Sequence, residues 1–346
     1  MINQEVNKRE AEKMKQVDKL IASEILTIGQ KAQNNPETID FPNFCLGIAN
    51  KDYPAMTPHL WNSVYEALNL SVKNVRLFGD PGNIEQIFKA FKQDSRYKGG
   101  DVGVGFKDKA CEIVDELDPL AEQMQAINVT VKLPDGRLKG YNTDGLGYAI
   151  SLEEQIKDLE NKKIVILGAG GTSNAIAYAL AAKGAKLVIL NRTVQKAESL
   201  TQRLNKYFNT EVAKFGGRDQ ICTEILTANA VISVIDDPFM PLDKYSALGK
   251  IKLPESPDNI DANLQEAEEI LKSAPKDIII SDVMLRNEET ATIREAKKQG
   301  LKTLDGKPMV LYQAIEAFWL VNQALLKDKG ITKEKISQIM HQVAKN

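Results

Sequence analysis

Three glycines in a defined context are the first residues that point to chemistry. Gly168, Gly170 and Gly171 follow the apolar run KIVIL, precede an uncharged stretch that continues through Ala182, and are followed by a second apolar run, KLVIL. Strand, glycine turn, helix and strand together form the mononucleotide-binding βαβ unit. Gly168 permits the tight turn, Ala169 carries it on, and Gly170 lets the backbone approach a pyrophosphate. Gly171 and Thr172 then open a helix whose unpaired N–H groups and positive dipole end receive the phosphates. After the second strand the chain reads Asn191-Arg192-Thr193, with Lys196 beyond. An acid at this place would take a free ribose 2′-hydroxyl. A guanidinium instead matches a 2′-phosphate through charge-assisted hydrogen bonds, so the expected cofactor is NADP, with Asn191, Arg192, Thr193 and Lys196 beside its 2′-phosphate.

Composition removes several other classes. The 346 residues suffice for two domains with real cores, and 43% apolar with 27% charged residues is ordinary globular usage. With 45 basic against 47 acidic side chains, the net charge of -2 gives no field to gather nucleic acid or anionic membrane. Cys45, Cys111 and Cys222 are odd in number and far apart, which argues for a reducing compartment over a disulfide framework. His59 and His341 stand at no ligand spacing, so no metal site is expected. The densely charged first nineteen residues resemble neither a signal nor a transit peptide, and the expected location is the cytoplasm. The uncharged 164–182 stretch is broken by GAGGTSN and reads as a turn inside a fold, not a membrane span.

These residues need elements to hold them. An amphipathic helix is expected over 14–28, within an N-terminal helical extension of residues 1–40, and is a candidate dimer contact. Strands are expected at 44–49, 75–78 and 101–106, with helices at 57–68, where Thr57-Pro58 reads as cap and first turn, and at 84–91 and 110–117. NTDGLG reads as a turn-rich crossover before a helix over 151–159. Further strands at 163–167, 187–190, 230–234 and 278–283 alternate with helices at 195–207, 218–226 and 264–271. The polar 236–276 passage is too long for an ordinary connection and reads as an insertion with its own short helix. The fold class is therefore α/β in two domains: an N-terminal α/β substrate domain over 41–145, completed by C-terminal helices over 310–346, and a doubly wound Rossmann domain over 146–309.

Four segments together resemble the NADP-dependent shikimate dehydrogenases, in register from about residue 47 to residue 318. They are DVGVGFKDKA, YNTDGLGY, the GAGGTSN loop with NRT, and DGKPMVLYQAIEAF. The resemblance implies a catalytic pair, Lys107 and Asp144, for proton transfer to and from the reacting oxygen. It also implies that Asn128 and Gln313 bond the ring hydroxyls of the substrate. Where the family grips the substrate carboxylate with two serines, this chain has Ala55 and Thr57, so one hydroxyl is kept. The family's Asn-Val-Thr is here Asp101-Val102-Gly103, its late tyrosine is Leu285, and Ser233-Val234-Ile235 replaces its Asn-Ala-Thr. The resemblance implies an NADP-dependent reduction of 3-dehydroshikimate to shikimate. A related enzyme acting on quinate or another cyclic hydroxy acid, and a dinucleotide-binding protein without turnover, are the alternatives.

Overall fold

A computed structural model describes residues 44–49, 56–78, 80–103, 105–235, 242–285 and 288–345. The expected helix over 14–28 and Ala55 lie outside the described residues. The chain divides into two units, one ending at Thr143 and resuming at Gln313, the other running from Asp144 to Tyr312.

In the first unit, β1 (Phe44–Ala49) pairs in parallel with β2 (Lys73–Phe78). Between them runs α1 (Thr57–Ala67). The first bond of α1 goes from Leu60 N–H to Met56 C=O at 3.0 Å, so Met56 and not Thr57 holds the cap position. The helix α2 (Ile84–Gln93) buries Ile84, Ile87, Phe88 and Phe91 on one face, and the Phe91 ring stacks on Tyr97 at 4.4 Å.

The strand expected over 101–106 is shorter and earlier: β3 is Gly99–Asp101. Its partner β5 (Val129–Lys132) pairs with it antiparallel over those residues, the Val102 N–H adds one bond to the Asn128 carbonyl at 2.7 Å, and the chain then turns, with Gly105 at φ +88°. That turn lets α3 start at Lys107 and end at Ile113, while residues Glu116–Leu117, read as helix, form β4. A short α4 (Pro119–Met124) follows, capped by the Asp118 carboxylate. β4 then pairs with β6 (Leu138–Tyr141), whose other edge takes β5.

The second unit is a six-stranded parallel sheet. Its strands are β7 (Lys163–Leu167), β8 (Lys186–Leu190), β9 (Ala213–Gly216), β10 (Ala230–Ser233), β11 (Ile279–Asp282) and β12 (Lys302–Asp305), ordered β12-β11-β10-β7-β8-β9. This is the doubly wound arrangement, with its switch of direction between β7 and β10. Apolar residues fill successive positions of these strands because helices cover both faces of the sheet. β9 (AKFG) and β12 (KTLD) have no expected counterpart because each four-residue run holds a single large apolar side chain, as edge strands tolerate.

The helices of this unit are α5 (Asp144–Ile156), α6 (Gly171–Ala182), α7 (Val194–Phe208), the one-turn α8 (Ile221–Glu224), α9 (Pro257–Ser273) and α10 (Ala291–Lys298). Two expectations change here. NTDGLG is not a loop: its last residues are the first turn of α5. The 236–276 passage is not an insertion with a short helix, because α9 is 17 residues long and packs Ala267, Ile270 and Leu271 into the sheet's core beside Val165 and Val231. The helix is the crossover from β10 to β11.

The long α11 (Lys307–Asp328) returns the chain to the first unit. There Phe318 packs edge-on against Trp61, with centroids 5.4 Å apart, and Trp61 Nε1 donates to the Ala314 carbonyl at 3.1 Å. A final α12 (Lys333–Ala344) buries Ile336 and Met340.

Glycine at 145 sets the approach of α5 to α6: a Cβ there would press on the Ala175 carbonyl oxygen far inside contact distance. Gly145→Ala is therefore expected to destabilise the second unit by about 1–3 kcal/mol, the usual cost of overpacking. Urea unfolding followed by circular dichroism measures this, and an unchanged midpoint would show that the helices part without cost.

Candidate active site

Lys107 is the first residue of α3, and Phe106 before it is fully buried. The Lys107 carbonyl accepts the Ile127 N–H at 3.2 Å, which fixes the start of α3 beside the strand that carries Asn128. Asn128 itself is buried and fully bonded. Its Nδ2 donates to Gln313 Oε1 and to Thr143 Oγ1, both at 3.0 Å, and its Oδ1 accepts the Thr143 N–H at 2.8 Å. Thr143 Oγ1 also lies 3.1 Å from the Gln313 carbonyl. Two amides 185 residues apart are thus joined directly, and Thr143, which the sequence reading passed over, joins them to the crossover. Its signal was available in the NTD triplet. Thr57 is buried in the first turn of α1. Asp144 opens α5 as the first residue of the second unit.

Asp101 ends β3, and its Oδ1 is buried without a hydrogen-bond partner. Burial pushes this carboxyl above its ordinary range, against the pull of Asn74, Arg76 and Lys107.

In the second unit the ends of β7, β8, β9 and β10 border a cavity of about 970 Å³. Gly168, Ala169, Gly170, Gly171 and Thr172 line it, as do Asn191 and Arg192. Gly168 has φ +122°, and a Cβ on it would stand 3.0 Å from the Val234 carbonyl oxygen, so only glycine makes this turn without strain. At Gly170 and Gly171 a Cβ would meet nothing within 4 Å, so these glycines leave the space over the helix N-terminus open. A pyrophosphate fits such a place. Asn191 Nδ2 donates to the Thr193 carbonyl at 2.9 Å and shapes the turn into α7. Thr193 and Lys196 are exposed on that turn, outside the cavity lining. Arg218 after β9, and residues 250–253, line the cavity without having been expected from sequence.

The sequence matches the family model for the shikimate dehydrogenase substrate binding domain over residues 48–130 and that for shikimate / quinate 5-dehydrogenase over residues 151–240. A shikimate dehydrogenase (NADP(+)) of Aquifex aeolicus is 32% identical over 268 residues, which is 78% of this chain and 87% of that protein. One of Methanocaldococcus jannaschii is also 32% identical, over 76% of this chain and 86% of that protein. The chain belongs to the shikimate dehydrogenase family. The structure of a shikimate dehydrogenase in complex with NADP+ superposes with a TM-score of 0.69 at 25% identity, over 87% of this chain and 95% of that one.

Within the shikimate dehydrogenase frame, the departures fall into two groups. Asp101 and Gly103 stand in the substrate unit, where a buried carboxyl and a bare backbone replace an amide and a hydroxyl. Ser233, Val234, Ile235 and Leu285 follow β10 and β11. Val234 and Ile235 line the large cavity, and Leu285 is about half exposed. Ser233 Oγ is buried with no partner, as are Ser281 Oγ, Thr290 Oγ1 and the hydroxyl of Tyr148 on α5.

Asp282, at the end of β11, belongs to this polar cluster. Its Oδ1 accepts the Met284 N–H at 3.2 Å, while Oδ2 has no partner. Burial raises its pKa from 3.8 to about 6, offset in part by that N–H. The sign follows from linkage: between pH 4 and 6 the folded chain keeps a proton that the unfolded chain releases, so this group's contribution to stability falls as pH rises. Asp282→Asn should flatten the loss of unfolding free energy between pH 4.5 and 7 by about 2 kcal/mol. Denaturant titrations of both proteins at the two pH values test this; parallel pH profiles would mean that Asp282 titrates normally.

Proposed function

We propose that this chain is an NADP-dependent dehydrogenase that reversibly reduces 3-dehydroshikimate to shikimate. The observation that carries the reading is the direct bond between Asn128 and Gln313, which brings two amides suited to a ring polyol to one point of the substrate unit. The NADP-linked names of the relatives and the open glycine turn edged by Arg192 support the cofactor.

When bound, NADP(H) supplies or takes up a hydride at the ring carbon. The protein supplies the proton. Lys107, as an ammonium, donates to the oxygen while the carbonyl becomes a hydroxyl, and takes the proton back in the reverse direction. Asp144 is the proposed partner that holds this ammonium and keeps it charged. Gln313 and Asn128 orient the ring hydroxyls; because Asn128 is already fully bonded, a substrate hydroxyl gains it by displacing one of its present partners. Thr57 offers the remaining hydroxyl for the substrate carboxylate. Phosphates belong over Gly168–Thr172, with Asn191, Arg192, Thr193 and Lys196 on the 2′-phosphate side. The free thiols of Cys111 and Cys222 suit a cytoplasmic setting, and a homodimer is the proposed assembly.

The buried Asp101 carboxyl favours a second reading, in which the same chemistry serves quinate or another cyclic hydroxy acid. Retention of a lysine and an aspartate at the catalytic positions speaks against a protein that only binds the dinucleotide, because binding needs no proton donor. Steady-state rates with shikimate and quinate, each with NADP+ and NAD+, decide among the three.

Lys107→Ala is expected to lower kcat by about 100- to 10,000-fold, with cofactor affinity unchanged. A near-normal kcat with a raised KM would remove the lysine from proton transfer. The double variant Ala55→Ser, Gly103→Thr should lower KM for shikimate by about 10-fold or more, since each restored donor to a charged group is worth about 1.5–3 kcal/mol. Tight shikimate binding by the unaltered protein, with no gain in the double variant, would show that the pocket has donors of its own.

A further inference from the structure

The segment between β10 and α9 is extra chain that the proposed reaction does not account for, yet its described part is firmly built. Tyr245 donates its hydroxyl proton to the Lys252 carbonyl at 3.1 Å. Asn263 of α9 accepts the Ser246 N–H at 2.8 Å and donates to the carbonyls of Ser246 and Lys250 at 3.1 and 3.2 Å. Ala247 N–H donates to Thr292 Oγ1 at 2.8 Å. Leu242 and Tyr245 pack with Ile235, Ile251 and Ile260 in a small core of their own. Residues 250–253 of this fixed segment line the large cavity together with the glycine turn, and Leu253 keeps about half of its surface exposed.

Arg218 connects this segment to the sheet. It follows β9, lines the same cavity, and uses Nη2 to donate to the carbonyls of Ala247 and Gly249. A guanidinium offers five donors, so a group tethered through one nitrogen retains capacity for a ligand. We infer that Arg218 is a second arginine for the adenosine 2′-phosphate, held in place by the 242–256 segment and acting with Arg192. This rests on the reading of the cavity as the dinucleotide site.

Strand order supplies the reason for that phosphate and not the pyrophosphate. In a doubly wound sheet the pyrophosphate lies at the turn after the first strand, here β7, and the adenosine ribose at the end of the next, here β8. β9 lies beyond β8, so its end adjoins the ribose side of the site. Charge points the same way. Burial lowers the pKa of Arg218 and nearby Arg192 lowers it further, against a smaller opposing pull from Glu266. Two guanidinium groups facing one cavity repel each other, and a dianion between them reverses the sign of that interaction.

The probes are adenosine 2′,5′-bisphosphate and adenosine 5′-monophosphate, which differ only in the 2′-phosphate, with affinity read by calorimetry on the full chain. Arg218→Met should weaken the bisphosphate by about 10- to 100-fold and leave the monophosphate within about 2-fold, the loss expected for hydrogen bonds to a charged group. Equal losses for both probes would make Arg218 only a tether of the segment, and no loss for either would leave the 2′-phosphate to Arg192; both overturn the inference. If Arg218→Met does not fold, Arg218→Lys decides. It keeps a charge and a donor for the carbonyls, so a several-fold loss confined to the bisphosphate supports the inference and an unchanged ratio overturns it. Arg192→Ala is the control for the site itself. If the unaltered protein binds neither probe, the dinucleotide reading of the cavity fails. If it prefers the bisphosphate and only Arg192→Ala removes that preference, the reading stands and the role of Arg218 falls.

Discussion

One amide constrains more of this molecule than any other side chain. Asn128 sits at the start of β5, bonds Thr143 where the chain leaves the first unit, and bonds Gln313 where the chain comes back. The bonds to Thr143 are buried and the bond to Gln313 is partly so, and an unmet buried partner costs far more than a met one gains. The floor of the substrate unit, the crossover and the returning helix are therefore fixed together, and each of the three carries a residue assigned to the substrate or to proton transfer. A change in any one of them is felt by the other two.

Apolar burial builds the rest in an ordinary way, and the unusual costs are concentrated near chemistry. Asp101 in the substrate unit and Asp282 at the end of β11 are carboxyls whose pKa values burial raises. Ser233, Ser281, Thr290 and Tyr148 add buried hydroxyls without partners around the second of them. Buried polar groups of this kind cost stability, and such groups gather at functional sites more than elsewhere. Asp101 is the last residue of β3 and Asp282 the last of β11, so each carboxyl stands where its strand gives way to a loop.

Membership of the shikimate dehydrogenase family accounts for the two-unit architecture with its parallel-sheet second unit. Residues 250–253 of the segment between β10 and α9 line the cavity beside the glycine turn. That segment is no loose addition: hydrogen bonds from α9, α10 and Arg218 hold it as a wall of the dinucleotide cavity.

The sequence by itself determined what depends on short-range pattern. The βαβ unit at 163–190 was legible because a period of apolar strand, glycine and uncharged helix has one low-energy solution, and NRT gave the 2′-phosphate preference by charge alone. Lys107, Asp144, Asn128 and Gln313 were legible only as positions in a resemblance. Local pattern failed where neighbours decide. The glycines of NTDGLG read as a turn, but Gly145 is there so that α5 can lie against the Ala175 carbonyl. The strand expected over 101–106 stops at Asp101 because β5 offers partners only that far, and α9 looked like part of an insertion until its apolar face was seen in the core. Tertiary structure alone decided that Asn128 meets Gln313 and that Arg218 faces the same cavity as Arg192, since side chains far apart in sequence come together through the order of strands, which no window of residues encodes.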